Sequence, residues 1–486
     1  MPNPILMIHG WSSSYHAFVP LEQWLASQGY TPLQIYLGNY ASMNDNVTFD
    51  DLAFGFQRRL ADLVGPTQSL TLQPFSLDVI VHSTGGPVVR HWLDYYLREV
   101  CGGDPQRCPI RSIIMLAPAN FGSRLAAQGK TALAKIFKGG VANGFQTGKQ
   151  ILTGLELGSP ILWKMANEDL FAGKSRYPSV PGKGPFVYIF SGTETYGELK
   201  GLVARGANED GSDGTVRASA ASLDSVKITA DYTGAIAKVS AIRQANAPYA
   251  FRLVPGRNHS TLIPDGSDRA HPMLTLIPKC LAINDPTAYI KVVDEFEADN
   301  AAFYKNERGL GSGRQVHAFQ QFVIHVRDEM GNDVTDYQID LNVIDRNIVR
   351  STWENDPANL TRLQQYQNYS ARLRDEIIAD VEPHTTNPSY RTFFVNMDAL
   401  AALQKELDAD PRHPYIALNL DAAVGTDDNI RYDTDRLQYI PVRAAINDAL
   451  GRPVSFFKEN TSTLVEFVIN RTPMKPIVNV LRGDEI

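Results

Sequence analysis

The sequence of 486 residues is poor in cysteine, has no long apolar run and carries no excess of basic charge. Three cysteines cannot form a disulfide framework, and Cys101 and Cys108, which flank a short turn, fit a local disulfide or two reduced thiols equally well. No segment is long and apolar enough to span a bilayer. The formal net charge of −7 and the lack of a basic stripe argue against nucleic acid as a partner.

The rest of the composition is that of an ordinary globular protein, with 43% hydrophobic and 20% charged residues. A chain of this length exceeds what one hydrophobic core organises, so two or more domains are expected. The first residues lack a basic segment followed by an apolar one, and no signal peptide is predicted. We therefore expect a cytoplasmic protein, or a secreted one if a leader has been removed.

A serine between an apolar run and a predicted helix is the feature around which the sequence is organised. Residues Leu77–Val81 predict a buried strand and Pro87–Glu99 a helix, with Ser83 in the tight turn between them. Such a turn exposes the hydroxyl group and directs the positive end of the helix dipole at it, as a nucleophile requires. Because the strand and the helix pack closely at this turn, the residues beside Ser83 must be small. Gly85 satisfies this demand, whereas Val81 predicts a slightly wider turn.

The segment after the first predicted strand has the composition of an oxyanion hole. Pro4–Ile8 is apolar and is followed directly by His9, Gly10 and Trp11. Backbone N–H groups at the end of such a strand are free to bind a negatively charged oxygen atom. We predict that the N–H of Trp11 and that of Thr84, the residue after the serine, form this site.

Strands and helices alternate through the first half of the sequence, which predicts an α/β fold with a doubly wound, mostly parallel sheet. In such sheets the functional site lies beyond the C-terminal ends of the strands. The predicted helices are 16–28, 50–64 and 87–99, and the predicted strands are Pro4–Ile8, Pro32–Tyr36, Leu77–Val81, Ile110–Leu116, Phe186–Ser191 and Tyr249–Pro255.

Residues 124–181 carry no strand signal and have the pattern of helices separated by glycines. A helical insertion at this edge of a sheet is typical of a cap or lid over the site. Apolar side chains from the insertion and from the loop before it are candidates for an acyl-chain pocket, with core packing as the alternative for each of them. The candidates are Phe121, Ile136, Phe137, Leu155 and Leu162.

Candidates for an acid and a base follow the serine in the order expected for this architecture. Asp213 begins an Asp-Gly-Thr-Val turn that leads into an extended segment, and Asp210 is the alternative acid in the same loop. His259 lies in a loop directly after a predicted strand and has the best context for a general base, with His271 as the second choice. Ser83, Asp213 and His259 together predict a catalytic triad.

By these motifs, roughly the first 285 residues resemble the α/β-hydrolase superfamily, and within it the bacterial lipases and related carboxylester hydrolases. The resemblance implies that Ser83 is the nucleophile, His259 the base and Asp213 the acid. Lipases of this kind often hold a structural calcium ion near the histidine loop. Asp265 and Asp268 lie there without forming a recognisable ligand pattern, and no other cofactor is expected. The matching segments are Ile8-His9-Gly10-Trp11, His82-Ser83-Thr84-Gly85-Gly86, Pro118-Ala119-Asn120-Phe121-Gly122-Ser123, Asp213-Gly214-Thr215-Val216 and Asn258-His259.

The resemblance implies a serine hydrolase that cleaves carboxylic esters of hydrophobic or lipid substrates through an acyl-enzyme intermediate. Its expected partners are a hydrophobic ester or lipid substrate and, transiently, a lipid interface. An acyltransferase or a phospholipase with the same triad, and a non-catalytic binding protein on a hydrolase scaffold, are the alternatives. The sequence leaves the acyl-chain length and the oligomeric state open.

The second half of the sequence predicts a different architecture. Residues 286–317 are charged and punctuated by glycine, and we interpret them as a connector between a catalytic domain at 1–285 and a β-rich domain at 318–486. Short strand-like runs and hairpin turns predict a β-sandwich-like accessory domain with helical insertions at 352–380 and 399–407, and we find no catalytic constellation in it. The strand candidates are 319–326, 334–344, 391–396, 415–420, 454–458, 463–469 and 477–481.

Overall fold

The structure is a computed structural model. It describes residues 2–30, 35–63, 72–127, 148–172, 185–196, 208–243, 249–306, 315–345, 357–423, 430–442, 445–448, 451 and 453–474. The chain forms two compact units, each assembled from separate segments. The first consists of Met1–Ser225, Arg243–Phe319 and Glu459–Ser462, and the second of Val226–Ile242, Gln320–Lys458 and Thr463–Ile486.

The first unit is built on a sheet of six strands. These are β1 Ile5–Ile8, β2 Ile35–Gly38, β3 Leu77–His82, β4 Ile110–Leu116, β5 Phe186–Gly192 and β8 Ala250–Val254, while β6 Ser225–Asp231 and β7 Lys238–Arg243 pair elsewhere. The strand order is β2-β1-β3-β4-β5-β8, and every neighbouring pair is parallel. The central strands are buried along their whole length, which explains their continuous runs of apolar residues. The predicted α/β fold with a doubly wound parallel sheet is confirmed.

Helices connect the strands of this sheet. They are α1 Val19–Ser27, α2 Phe49–Leu63, α3 Gly85–Glu99, α4 Arg124–Ala127, α5 Lys149–Gly154, α6 Pro160–Asp169, α7 Ala218–Ala221, α8 Met273–Leu281 and α9 Pro286–Asn306. Short 3₁₀ turns lie at Tyr15–Phe18 and Pro105–Arg107. Helix α3 begins two residues before its predicted start, so that it follows the serine turn without a gap.

Helix α9 lies where the sequence predicts a connector, and it covers the edge of the sheet instead. The side chain of Asn300 accepts a hydrogen bond from the Leu253 N–H at 2.8 Å and donates one to the Phe251 carbonyl at 2.9 Å. Both partners belong to β8, the last strand of the sheet, whose outer backbone groups would otherwise lack partners. The phenol group of Tyr289 donates in addition to the Val187 carbonyl of β5. The helix is therefore part of the first unit.

A buried ion pair links α3 to α6. Nε and Nη2 of Arg90 donate to the two carboxylate oxygens of Asp169 at 2.7 and 3.0 Å, and both side chains are almost wholly inaccessible to solvent. Nη1 of Arg90 donates to the Asn120 carbonyl at 2.8 Å, and the guanidinium group lies over the Phe121 ring. The pair thus ties the helix after the serine to the helical insertion and to the loop after β4.

The second unit is rich in strands. These are β9 Phe319–Asp328, β10 Tyr337–Ile344, β11 Ile378–Pro383, β12 Tyr390–Asn396, β13 Tyr415–Ala422, β14 Ile430–Tyr432, β15 Ile440–Pro441, β16 Ala445–Asn447, β17 Pro453–Ser455, β18 Ser462–Ile469 and β19 Arg471–Pro473. They form sheets ordered β11-β12-β9-β18-β6-β7 and β10-β13-β15, with the separate pairs β14-β19 and β16-β17. Its helices are α10 Pro357–Arg372 and α11 Met397–Ala409, with a π-helical turn at Leu373–Ile377 and a 3₁₀ turn at Asp435–Leu437.

Besides the placement of α9, the division into units differs from the predicted domains at the β6–β7 hairpin and at Glu459–Ser462, which belongs to the first unit. The β6–β7 hairpin falls inside the predicted catalytic domain, yet it supplies two strands to the six-stranded sheet of the second unit. The sequence analysis predicted neither strand, although the apolar residues of β6 alternate with polar ones, as suits a sheet with one solvated face.

Within the second unit, the predicted helical segment 352–380 ends earlier than expected. Helix α10 gives way to the π turn at Leu373–Ile377, and β11 begins at Ile378. Every second residue of β11 is exposed, which is usual at the edge of a sheet. The predicted strand at 477–481 lies outside the described residues.

The three cysteines bear on the local disulfide that the sequence allows. Cys101, Cys108 and Cys280 are buried free thiols. The Cys101 thiol donates to the Arg107 carbonyl and the Cys108 thiol to the Ile110 carbonyl, so both of these thiols have a backbone partner.

In the part of the chain that the structure describes, no helix has the length and apolar character needed to cross a membrane.

The Arg90–Asp169 pair generates a stability prediction. Asp169→Ala leaves a buried guanidinium group without its counter-charge, so we expect a loss of about 3–5 kcal/mol in the free energy of unfolding of the first unit. Asp62→Ala removes the solvent-exposed partner of Arg59 and should cost no more than about 1 kcal/mol. Chemical denaturation of both variants measures the difference, and equal losses would contradict the importance of the buried pair.

Candidate active site

Ser83 occupies a strained turn whose backbone groups are all held. Its φ angle is +54°, in the left-handed region that non-glycine residues rarely adopt. The Ser83 N–H donates to the Leu116 carbonyl at 3.0 Å, and its carbonyl accepts from Gly86 at 3.0 Å and from Ala119 at 3.2 Å. The bonds with Leu116 and Ala119 link the turn to the end of β4 and the loop after it, and the bond with Gly86 closes the turn onto the start of α3. They fix the direction in which the side chain leaves the sheet.

Two glycines allow the close approach that this turn requires. A Cβ atom at Gly85 would lie 2.7 Å from the Ile8 carbonyl and 3.1 Å from Cβ of Val81. Helix α3 therefore packs directly against Val81, and this close contact speaks against the wider turn expected from that residue. A Cβ atom at Gly10 would lie 2.8 Å from Cβ of Ser83, so the loop after β1 rests against the serine.

His259 connects Ser83 to Asp213. Its Nε2 atom lies 2.9 Å from the Ser83 hydroxyl oxygen, and its Nδ1 atom lies 2.9 Å from Oδ2 of Asp213. The histidine and the aspartate are both inaccessible to solvent. The His259 N–H also donates to the Asp213 carbonyl at 2.9 Å, which joins the two loops by their backbones. The structure therefore brings the three predicted residues into one hydrogen-bonded chain.

The loop around Asp213 orients the carboxylate. Oδ1 accepts hydrogen bonds from the N–H groups of Thr215 at 3.0 Å and Val216 at 2.8 Å, which leaves Oδ2 for the histidine. Gly214 has a φ angle of +89°, which glycine adopts without strain, and this conformation lets the chain fold back over the carboxylate. Because the carboxylate accepts from Nδ1, the ring carries its proton there and presents a bare Nε2 to the serine hydroxyl.

The two alternative residues make other contacts. Oδ2 of Asp210 lies 2.6 Å from Nδ1 of His317, outside the chain that contains Ser83. The His271 ring bonds to the Thr261 carbonyl at 2.9 Å and accepts from the Met273 N–H at 3.2 Å. Both ring nitrogens of His271 are thus engaged, and the geometry distinguishes Asp213 and His259 from their alternatives.

His82 is a buried histidine that supports the base. Its Nε2 atom lies 2.9 Å from the His259 carbonyl, to which it donates, and the two rings are 4.7 Å apart. Burial and the neighbouring His259 lower the pKa of His82 to about 3, so that its ring is neutral at physiological pH. No local sequence pattern predicts the contact between His82 and the loop of His259.

His9 orients the predicted oxyanion hole. Its Nδ1 atom donates to the Gly10 carbonyl at 2.6 Å, and its Nε2 atom accepts from the Tyr40 N–H at 3.2 Å. The His9 and Tyr40 rings stack with their centres 4.4 Å apart. Since C=O and N–H point in opposite directions across a trans peptide, the first bond turns the Trp11 N–H away from His9. Within the described residues, neither this N–H nor that of Thr84 donates to a backbone carbonyl. Both are therefore available to a bound oxygen atom.

A small cavity of about 30 Å³ opens at Ser83, enough for about one water molecule. Leu155 is the predicted pocket residue that lines it, together with Trp11, Ser83, Thr84, Ala119, Ser123, Ala126, Leu152, Thr215 and Val216. Phe121 and Leu162 are buried but do not line the cavity that the described residues form. Phe121 lies under the Arg90 guanidinium group, and Leu162 belongs to the first turn of α6. Ile136 and Phe137 lie outside the described residues.

Tyr196 is a neighbour of the site that sequence reasoning missed. Its hydroxyl group lies 3.0 Å from that of Ser260 and 3.4 Å from that of Thr215, so it bridges the loops of His259 and Asp213. Burial raises the pKa of Tyr196 to about 12, and the phenol remains protonated. The contact joins residues far apart in sequence, and no local sequence pattern predicts it.

The aspartates considered for a calcium ion have protein partners. Oδ2 of Asp268 accepts from Arg257 at 2.5 Å, and its Oδ1 accepts from the Ala270 N–H. Oδ1 of Asp265 accepts from the N–H and hydroxyl groups of Ser267. Among the residues with described positions, no group of three or more acidic, histidine or cysteine side chains is arranged to hold a metal ion.

Comparisons with known proteins identify the fold. The chain matches no protein-family model and no curated protein. It is similar to the solved structure of phospholipase PlaB from Legionella pneumophila, with a TM-score of 0.76 and 24% identity over 99% of this chain and 96% of that one. A second structure, of PlaB in complex with thio-NAD, matches with a TM-score of 0.74 over the same shares. The α/β-hydrolase fold and the attached β-rich unit are therefore shared with a solved structure along almost the whole chain.

The lowered pKa of His82 predicts a pH-dependent stability. Between pH 6.5 and about 3 the unfolded chain binds a proton that folded His82 excludes, so the free energy of unfolding falls as the pH falls. The slope from this residue reaches about 1.4 kcal/mol per pH unit. His82→Gln keeps an N–H donor for the His259 carbonyl but does not titrate, so the slope should flatten.

Denaturation of the wild type and the variant between pH 4 and 7 measures this slope. Buried His9 also has a lowered pKa and acts in the same direction, so the difference between the two proteins isolates His82. Exposed His16→Gln is the control and should retain the wild-type slope. A His82→Gln protein with the wild-type slope would show that His82 titrates normally.

Proposed function

We propose that this protein is a serine hydrolase that cleaves carboxylic esters of lipids. The observation that carries the proposal is the hydrogen-bonded chain from Ser83 through His259 to Asp213. It lies beyond the C-terminal ends of parallel strands, where enzymes of this architecture perform catalysis. A merely structural role does not account for a serine held in a strained turn with its hydroxyl group on the base.

The geometry supports acyl transfer through a covalent intermediate. Ser83 attacks the ester carbonyl while Nε2 of His259 accepts the hydroxyl proton, and Asp213 stabilises the resulting imidazolium ion. The N–H groups of Trp11 and Thr84 bind the negatively charged oxygen of the tetrahedral intermediate, where one donor is worth about 3 kcal/mol. His259 then protonates the departing alcohol. A water molecule, deprotonated by His259, attacks the acyl-enzyme, and the imidazolium returns the proton to the Ser83 oxygen as the carboxylic acid leaves.

Two observations support a lipid ester as the substrate. Apolar side chains of the helical insertion, from Ala126, Leu152 and Leu155, line the cavity at Ser83, so a substrate bound there meets hydrocarbon. The fold is shared with a phospholipase over nearly the whole chain. Phospholipids are therefore the first natural substrates to test, ahead of the simple esters of an esterase.

The nucleophile is tested by covalent labelling. A fluorophosphonate probe forms a bond with the oxygen of an activated serine, so we expect mass spectrometry to place it on Ser83. Ser83→Ala should abolish labelling while the protein stays folded. Labelling elsewhere, or none on folded wild type, would overturn the proposed function.

A matched pair of variants tests the acid. Asp213→Asn removes the charge that fixes the His259 tautomer and should lower kcat for a nitrophenyl ester by about 10,000-fold. Asp210→Asn changes the same chemical group three residues away, where it contacts His317, and should alter kcat by less than about threefold. Equal losses in the two variants would argue against Asp213 as the acid.

The substrate class is tested with esters of increasing chain length. Because apolar side chains line the cavity at Ser83, kcat/KM for nitrophenyl esters should rise from acetyl to long acyl chains, and phospholipid vesicles should be hydrolysed. A preference confined to acetyl and butyryl esters would retain the triad and reject the lipid substrate. Added alcohols should leave the acid as the main product, whereas efficient ester formation would identify an acyltransferase.

A further inference from the structure

A cavity of about 720 Å³ lies inside the second unit. All of its described lining residues belong to that unit, and none of them lines the cavity at Ser83. Protein interiors are close-packed and rarely contain a void larger than a few water molecules. A volume of this size is typical of a pocket that binds a small molecule.

The side chains that line this cavity are almost purely hydrocarbon. Among the described lining residues, Tyr232 and Asn447 alone carry polar side-chain atoms, and none is charged. A ligand inside the cavity therefore finds few hydrogen-bond partners. A polar molecule would lose its hydration without compensation, whereas an apolar one gains by leaving water.

The regular alternation of the strands produces these walls. Residues two apart in each strand point to the same face of a sheet. In the second unit, the sheet β11-β12-β9-β18-β6-β7 and the sheet β10-β13-β15 each present such pairs to the cavity. The pairs are Phe322 and Ile324 of β9, Phe393 and Val395 of β12, Val465 and Phe467 of β18, Ile339 and Leu341 of β10, and Ile416 and Leu418 of β13.

The cavity is open where its exposed lining residues lie. Four of its lining residues are exposed, namely Val239, Pro441, Ala445 and Asn447, and they lie on the edge strand β7 and in the segment that includes β15 and β16. The lining residues Leu373, Ile377 and Leu400, from the π turn and from α11, are buried. A molecule with one polar end can enter here and leave that end in water.

We propose that this cavity binds one long-chain fatty acid, with the hydrocarbon chain between the sheets and the carboxylate at the open side. A methylene group fills about the space of one water molecule in the liquid, about 30 Å³, so a chain of about 18 carbons needs about 540 Å³. The cavity has room for one such chain. The site stands apart from the ester chemistry proposed for Ser83 and does not depend on it.

Fluorescence of cis-parinaric acid, a polyene fatty acid that emits in apolar surroundings, tests the site. The full-length Ser83→Ala protein is the reference, because it cannot turn over an ester or trap a product. We expect saturable binding of one probe molecule per chain, with competition by oleic acid. Binding that never saturates, or competition by cholesterol but not by oleic acid, would overturn the proposal.

Two neighbouring residues provide a matched pair of variants in this background. Ala237→Trp places an indole group in the cavity, whereas Ile236→Trp places the same group on a residue that is 79% exposed and does not line it. We expect the first variant to weaken probe binding at least tenfold and the second to change it less than twofold. Equal affinities in both would show that the probe binds elsewhere.

A second filling variant protects the test against a folding defect. Ala230→Phe fills the cavity from β6, and thermal unfolding and circular dichroism show whether each variant is folded. A folded Ala230→Phe protein that retains full affinity would contradict the site. Displacement of the probe by lysophosphatidylcholine as strongly as by oleic acid would reject the fatty acid and identify a single-chain lipid with a larger headgroup.

Discussion

The unfavourable backbone conformation of Ser83 is the constraint on which the candidate site depends. A left-handed conformation costs a serine about 1–2 kcal/mol, and three backbone hydrogen bonds to Leu116, Gly86 and Ala119 hold the residue there. The bonds with Leu116 and Ala119 couple the turn to the end of the neighbouring strand, so the position of the hydroxyl group is set by the sheet and not by the loop alone. The absence of a side chain at Gly85 then lets the helix begin immediately beyond the serine.

Three buried histidines surround this turn, and each has a tautomer fixed by its neighbours. His9 donates from Nδ1 to a carbonyl beside the predicted oxyanion hole, His82 donates from Nε2 to the loop of the base, and His259 donates from Nδ1 to Asp213. Each of the three rings therefore donates its hydrogen bond from one defined nitrogen atom. Burial lowers the pKa of His9 and His82, which favours their neutral form. The donors and acceptors of the site are thus aligned before any substrate arrives, which is the condition under which electrostatic stabilisation is most effective.

The parallel sheet and the triad geometry could be anticipated from the sequence because each rests on a local pattern. Apolar runs mark strands that are buried on both faces, and a polar residue directly after such a run marks the functional edge. What escaped prediction depends on partners distant in sequence. Nothing near Tyr196 shows that its hydroxyl bridges two loops, and nothing in the charged stretch at 286–317 shows that Asn300 closes the edge of the sheet. The choice between Asp213 and Asp210 likewise required the position of His317.

The placement of the β6–β7 hairpin in the second unit has a consequence for folding during synthesis. Between Asp213 and His259 the chain leaves the first unit at Val226, contributes two strands to the other sheet and returns at Arg243. During synthesis this hairpin emerges well before β18, the strand that pairs with β6 in the finished sheet, and before β9, the next strand beyond it. The acid and the base of the site are therefore the two anchors of a loop whose own sheet forms later. Neither unit corresponds to a continuous gene segment, so a truncation after residue 285 would leave an unpaired hairpin between the two anchors.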